Sequence, residues 1–231
     1  MSEYKPLQAV AYELLRDMIQ DGKFAFDTIY SETKLASQFS ISRTPVRDAL
    51  IRLKNEHYID ILPNRGFCLH LPTREDILSG YHVRTAIECH CAALLAREKD
   101  MPRAAETLRR MQAALDAQRA IYASEDMDLR AFWKWDVEFH ALLISYPGVQ
   151  EFQRQYDAYM HFFMAHYVKS YRSDGRDKTT LDEHGRLMEA LLAGDEAAAL
   201  SAVRRHMDET LAITLHNMEA QTQDTPTCKR P

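Results

Sequence analysis

A chain of 231 residues, 46% hydrophobic and 27% charged, has apolar matter for one large domain or for a small one and a medium one. Seven glycines beside many Ala, Leu, Met, Glu and Arg favour helix over sheet, and no run approaches the roughly 18 consecutive apolar residues that a membrane helix needs. The net charge of −5 argues against indiscriminate nucleic-acid binding, yet residues 34–65 carry Lys34, Arg43, Arg47, Arg52, Lys54 and Arg65 against Asp48, Glu56 and Asp60.

Leu7, Val10, Ala11, Leu14, Leu15, Met18 and Ile19 form an apolar stripe at helical spacing, with Pro6 at its start and Gly22 as a stop signal. Ser31 caps a second, short helix running to about residue 39. A third starts at Ser42, has Pro45 in its first turn and ends near Glu56. Val46, Leu50 and Leu53 make its inner face, while Arg43 and Arg47, four residues apart, share an edge of the outer one. Residues 58–62 and 67–71 are β-prone runs around Pro63-Asn64-Arg65-Gly66, which predicts a hairpin. Three helices and a hairpin make a winged helix-turn-helix of residues 1–72.

After Pro72 the strand signal stops. Thr73 caps the first of about six helices, expected near 74–99, 103–123, 129–146, 149–171, 180–193 and 195–219. The breaks fall at 100–102, 124–128, 146–148, 173–178 and Gly194. The fold class is therefore mainly α: a winged helix-turn-helix, an all-helical bundle over 73–219 and a flexible tail over 220–231. The four cysteines, Cys68, Cys89, Cys91 and Cys228, show no CxxC pairing and read as reduced thiols of a cytoplasmic protein.

The stretch Leu35-Ala36-Ser37-Gln38-Phe39-Ser40-Ile41-Ser42-Arg43-Thr44-Pro45-Val46-Arg47-Asp48-Ala49-Leu50 joins a short helix, a tight turn and a helix with two arginines at its start. Such a helix suits a major groove, where an Arg fork donates to guanine O6 and N7 together. Ser42 and Thr44 are placed to donate to phosphates, and Arg65 at the hairpin tip to reach a neighbouring groove, with Gly66 allowing close backbone approach. Taken singly, the arginines could equally be a solvated helix face. The whole stretch, continued through Arg52-Leu53, Tyr58-Ile59 and Pro63-Asn64-Arg65-Gly66-Phe67, resembles the signature of the GntR family of regulators. That resemblance implies a DNA-binding regulator with Ser42, Arg43, Thr44, Arg47, Arg52, Arg65 and Gly66 at the DNA. The family usually has Gly where His57 stands, a position favouring positive φ, and often Arg or another donor near Thr33, so no DNA contact carries over at Thr33.

In the helical region Asp136 and His140 lie four residues apart on one helix face, and His184 and His206 fall on later helices. One carboxylate and three imidazoles suit Zn²⁺, Ni²⁺ or Mn²⁺ with positions left open, although an Asp-x3-His pair arises easily by accident among 10 histidines. The region resembles the FCD domain of the FadR group through Asp136-x3-His140, Glu183-His184-x2-Leu187-Met188-x-Ala190-Leu191 and Val203-Arg204-x-His206-Met207. The resemblance implies that Asp136, His140, His184 and His206 ligate a divalent metal, zinc foremost. It also implies that Arg84 enters the same cavity to bind a carboxylate, where the alternative is a surface Arg84–Glu88 pair. Sugar acids and small carboxylic acids are the family's common effectors. Cys89 and Cys91 diverge on a helix and read as packed or surface thiols. Trp133, Trp135, Phe139, Tyr156, Tyr159, Phe162, Phe163 and Tyr167 read as packing rather than pocket residues. Ser145-Tyr146-Pro147-Gly148 replaces the family's Gly-Asn-Pro, so no ligand contact carries over there.

The expected function is a ligand-controlled repressor, not an enzyme and not a membrane protein. It would bind a pseudo-palindromic operator as a homodimer and release it on binding a small acid. A metal-dependent enzyme, or a constitutive DNA binder with a purely structural helical domain, are the competing readings.

Overall fold

The computed structural model describes residues 5–20, 22–25, 28–167 and 176–222. In order they form α1 (Leu7–Gln20), α2 (Glu32–Gln38), α3 (Arg43–Asn55), β1 (Ile59–Leu62), β2 (Gly66–Leu69), α4 (Arg74–Arg97), α5 (Pro102–Tyr122), α6 (Leu129–Ser145), α7 (Gln150–Tyr167), α8 (Arg176–Ala193) and α9 (Glu196–Thr222). The chain divides into two compact units, with the change between Pro72 and Thr73. The first holds α1–α3 and the hairpin; the second holds α4–α6, α7 as far as Met160, α8, and α9 as far as Ala220. The fold is mainly helical, and no described helix is long and apolar enough to cross a membrane.

In the first unit Ala11 and Leu15 of α1 pack with Val46, Ala49, Leu50 and Leu53 of α3, the inner face that the periodicity marks, and Leu35 and Ala36 of α2 close the cluster. The hairpin is antiparallel, with Ile59 opposite Leu69 and Leu62 opposite Gly66. Tyr30 adds an isolated bridge: its N–H donates to Phe67 O (2.7 Å) and its carbonyl accepts from Phe67 N–H (3.0 Å). Gly66, at φ +124°, sits where a Cβ would collide with Tyr30 O, so glycine is required here by the protein's own backbone. His57 does adopt the left-handed conformation (φ 60°) that the missing glycine implies.

In the second unit Thr73 Oγ1 accepts from Asp76 N–H while Asp76 Oδ2 accepts from Thr73 N–H, a capping box that starts α4. Asp128 caps α6 in the same role. Leu95, Met111, Leu115, Phe132, Phe139, Leu143, Leu191, Val203 and Met207 fill the core. Trp133 is buried, as a packing residue should be, whereas Trp135 is exposed and does not pack into the core; Cys91 is buried and Cys89 half-buried. Two boundaries differ from expectation. Helix α8 begins at Arg176, inside the expected break, because the buried Arg176 guanidinium is tied to Glu183 and Thr210 and so holds an extra turn. Helix α9 continues to Thr222, into the expected tail. The ends of the expected 149–171 helix and of the tail, with Cys228, and the side chains of Phe162, Phe163 and Tyr167 lie outside the described residues.

Candidate functional site

The exposed Ser42 precedes α3 as its N-cap residue, with an extended backbone (φ −69°, ψ 164°) and no capping hydrogen bond from its hydroxyl, and Arg43 and Thr44 follow it, also exposed. The Arg47 side chain is 66% exposed, with a long 3.8 Å ion pair to Glu32 of α2. Lys54, seven residues after Arg47, is exposed on the same edge and extends it; that spacing was the signal for it in the sequence. Arg52 does not share this edge. At 100° per residue it lies roughly 140° around the helix from Arg47. Its guanidinium stands 3.7 Å from the Tyr12 ring centroid and donates to Glu56 (3.0 Å), which in turn accepts from the Tyr12 hydroxyl (2.5 Å). Burial and the bond to Glu56 push the Tyr12 phenol up to about 12. Arg52 thereby ties α3 to α1. Arg65 is exposed at the hairpin tip between Asn64, at φ 61°, and Gly66.

The second constellation is buried. His140 of α6, His184 of α8 and His206 of α9 come together with ligand-capable atoms all within 4.8 Å of one another. Each ring is oriented from behind through Nδ1: His140 by Glu88 Oε2 (2.8 Å), His184 by Gln118 Oε1 (3.1 Å) and His206 by Glu183 Oε2 (2.8 Å). An Nδ1–H donated to each acceptor leaves each Nε2 an unprotonated lone pair. The Nε2 atoms of His140 and His184 face each other at 3.2 Å. Two facing lone pairs at that distance repel, whereas tetrahedral zinc places neighbouring ligand nitrogens about 3.3 Å apart. Burial, then the neighbouring imidazoles, hold His184 well below the ordinary imidazole range; burial and nearby His140 and Arg84 do the same for His206. Both rings are therefore in the neutral form that binds metal. The donor set fits a divalent cation.

Asp136, one turn before His140, stands beside this cluster with Oδ1 3.7 Å from His184 Nε2, and Gln118 Nε2 donates to the same oxygen (3.4 Å). Burial raises its carboxyl above the usual range. The Arg84–Glu88 pair forms, but in the interior: Arg84 Nε donates to Glu88 Oε1 (2.5 Å) with both side chains at most 5% exposed. Burial alone would raise the Glu88 carboxyl, but Arg84 and His140 hold it well below the carboxylate range. Arg84 also lies 5.5 and 5.9 Å from the Tyr156 and Tyr159 ring centroids, and its buried Nη2 has no hydrogen-bond partner among the described residues.

Gln118, Glu88 and Glu183, which orient the imidazoles, were not singled out as site residues in the sequence. Gln118 had a signal: it lies three residues after Leu115 and seven after Met111 on the inward stripe of α5, where a polar group needs a partner. Arg176 had none, since it falls in a segment with the composition of a break.

The family model described as "FCD domain" matches residues 79–209, and that described as "Bacterial regulatory proteins, gntR family" matches residues 7–69. The chain is 26% identical over 213 residues to the HTH-type transcriptional regulator YdhC of Bacillus subtilis (strain 168), covering 90% of this chain and 91% of that protein. It is 31% identical over 146 residues to the HTH-type transcriptional repressor RspR of Escherichia coli (strain K12), covering 63% of this chain and 61% of that one. A GntR transcriptional regulator from Rhodococcus sp. RHA1 shares the fold with a TM-score of 0.70 at 24% identity, over 90% of this chain and 97% of that one. Both named relatives are transcriptional regulators, not enzymes, and RspR is a repressor.

Proposed function

The chain belongs to the gntR family of bacterial regulatory proteins, a DNA-binding transcription regulator with an FCD domain after its winged helix-turn-helix, and we propose that it is a repressor released from its operator by a small organic acid bound at a metal in the helical unit. In this reading residues 1–72 contact DNA and residues 73–219 sense the acid and pair two protomers over a pseudo-palindromic operator in the cytoplasm. Arg43 and Arg47 enter the major groove, where a good bidentate contact discriminates by about 1–3 kcal/mol. Ser42, Thr44 and Lys54 hold phosphates, and Arg65 serves as the wing contact, with Gly66 needed mainly to seat the wing on Tyr30.

His140, His184 and His206 would hold the metal with Asp136 as fourth ligand; zinc suits the set best, with nickel or manganese as alternatives. A bound divalent cation supplies a Lewis-acid position for an acid's oxygen. Arg84 presents its unpartnered Nη2 to the same carboxylate, and Glu88 keeps both Arg84 and His140 in place. Acid binding then shifts the population between arrangements of the two units according to its differential affinity for them. The observation that carries the reading is the pair of facing Nε2 atoms at 3.2 Å, each ring already anchored through Nδ1. Elemental analysis of the purified protein tests it. Stoichiometric metal that His184→Ala abolishes is the expected result, and metal content unchanged by His184→Ala contradicts it.

A further inference from the structure

A second pair of imidazoles stands in the first unit, at the base of the hairpin, and neither the DNA contacts nor the buried cluster uses it. His57 directly follows the cap residue of α3, and its N–H donates to Lys54 O (3.0 Å). His70 directly follows β2, and its N–H donates to Tyr58 O (3.0 Å), which carries the hairpin's pairing one step further and sets His70 beside His57. The two rings lie 5.7 Å apart between centroids, at 63°. The three rings of the buried cluster are spaced at 5.0 Å, and two imidazoles sharing one tetrahedral zinc need roughly 5 Å. His57 and His70 each offer a ring nitrogen, and these atoms lie within 4.8 Å of each other.

The pair has the parts that a metal site needs. His70 is buried, and its Nδ1 meets Asp60 Oδ1 at 3.0 Å, Asp60 being its diagonal neighbour across the hairpin. An Nδ1–H donated to that carboxylate fixes the ring and leaves Nε2 as the ligand atom, the arrangement that Glu88 and Glu183 give to His140 and His206. His57 is exposed, which leaves the remaining positions around a metal open to water. It is also strained. At φ 60° it holds a left-handed backbone that glycine adopts freely and a residue with a Cβ does not. Strain kept at a single position points to a use for the side chain that stands there.

We propose that His57 and His70 form a zinc site on the winged unit, with Asp60 orienting His70 and water completing the coordination. Zinc there clips the end of α3 to the strand that leaves the wing. The site is separate from the metal reading of the helical unit and does not depend on it. With two imidazoles instead of three, one of them in solvent, it binds more weakly than the buried cluster. It therefore fills when zinc is added and empties on desalting.

Zinc titration of the full-length protein, first chelated and desalted, in competition with a chromophoric chelator tests this. Two zinc-binding events per chain are expected, one tight and one weaker. His57→Gly supplies the residue that this backbone favours and so spares the fold; it should abolish the weaker event and leave the tight one. His57→Asn, which tolerates a left-handed backbone and keeps a side chain, should do the same. Asp60→Asn should weaken the second event about 10–100-fold. A second zinc that binds His57→Gly equally well, or a wild-type chain that takes no zinc beyond the one that His184→Ala removes, overturns the proposal. A weaker event lost in His57→Gly, with no tight event in any variant, upholds it and overturns the metal reading of the helical unit instead.

Discussion

The candidate sites of the two units handle positive charge in opposite ways. Arg43 and Arg47 of the first unit stand in solvent, while Arg84 and Arg176 of the second are almost wholly buried and each locked to a glutamate. An exposed arginine contributes little to stability, so its removal is felt in what the surface binds. A buried one is part of a network in which removing any member strands a charge. Function and stability are therefore separable in the DNA-reading unit and entangled in the helical one.

The largest expected effect breaks the buried network. Glu88→Ala leaves Arg84 without its carboxylate and His140 without its anchor, and should cost about 3–5 kcal/mol in urea unfolding of the chelated protein; a change within about 0.5 kcal/mol would mean that the pair behaves as a surface one. The chelated protein should also lose stability as pH falls below about 6.5. His184 and His206 stay neutral in the folded state because their pKa values are depressed, whereas in the unfolded chain they take up protons. The unfolded state then binds more protons, so stability present above the unfolded pKa drains away below it, at roughly 1 kcal/mol per pH unit for each ring. Unfolding curves between pH 7.5 and 5.5, on the order of one pH unit either side of the free imidazole value, check the sign.

Gln118→Leu tests orientation without touching a ligand. It should lower metal affinity about 10–100-fold in competition with a chromophoric chelator, and an unaltered affinity would leave Gln118 a packing residue. On the other side of the comparison, Arg47→Ala should cost about 1–3 kcal/mol in sequence-specific binding with no shift in melting temperature. Arg52→Ala should do the reverse on a smaller scale, losing about 0.5–1 kcal/mol of stability from the stack on Tyr12 and keeping base preference. A changed base preference in Arg52→Ala would return that residue to the DNA face.

The first unit was largely legible in the sequence because its elements are local. The α3 stripe Val46, Leu50 and Leu53, the hairpin turn at 63–66 and the left-handed position of His57 are all set by neighbours in the chain. The contact of Arg52 with Tyr12 had no such local signal, because its partner stands forty residues earlier in the chain. In the second unit the three imidazoles were legible as residues, and the structure brings them together. Their anchors were not, since Glu88, Gln118 and Glu183 acquire meaning only when α4, α5 and α8 pack against α6 and α9. The same holds for Arg176, whose turn of helix exists because of Glu183 and Thr210.

The central claim is that the buried imidazole cluster couples an acid to DNA release through a metal. Fluorescence anisotropy on an operator obtained by in vitro selection tests it most directly, with gluconate, galactonate, mannonate, hexanoate and adipate added to zinc-loaded protein, to chelated protein and to Arg84→Ala. Release by at least one acid from the loaded protein, lost on chelation, restored by zinc and absent in Arg84→Ala, is the expected result. Release that persists undiminished in protein shown to be metal-free would contradict the account.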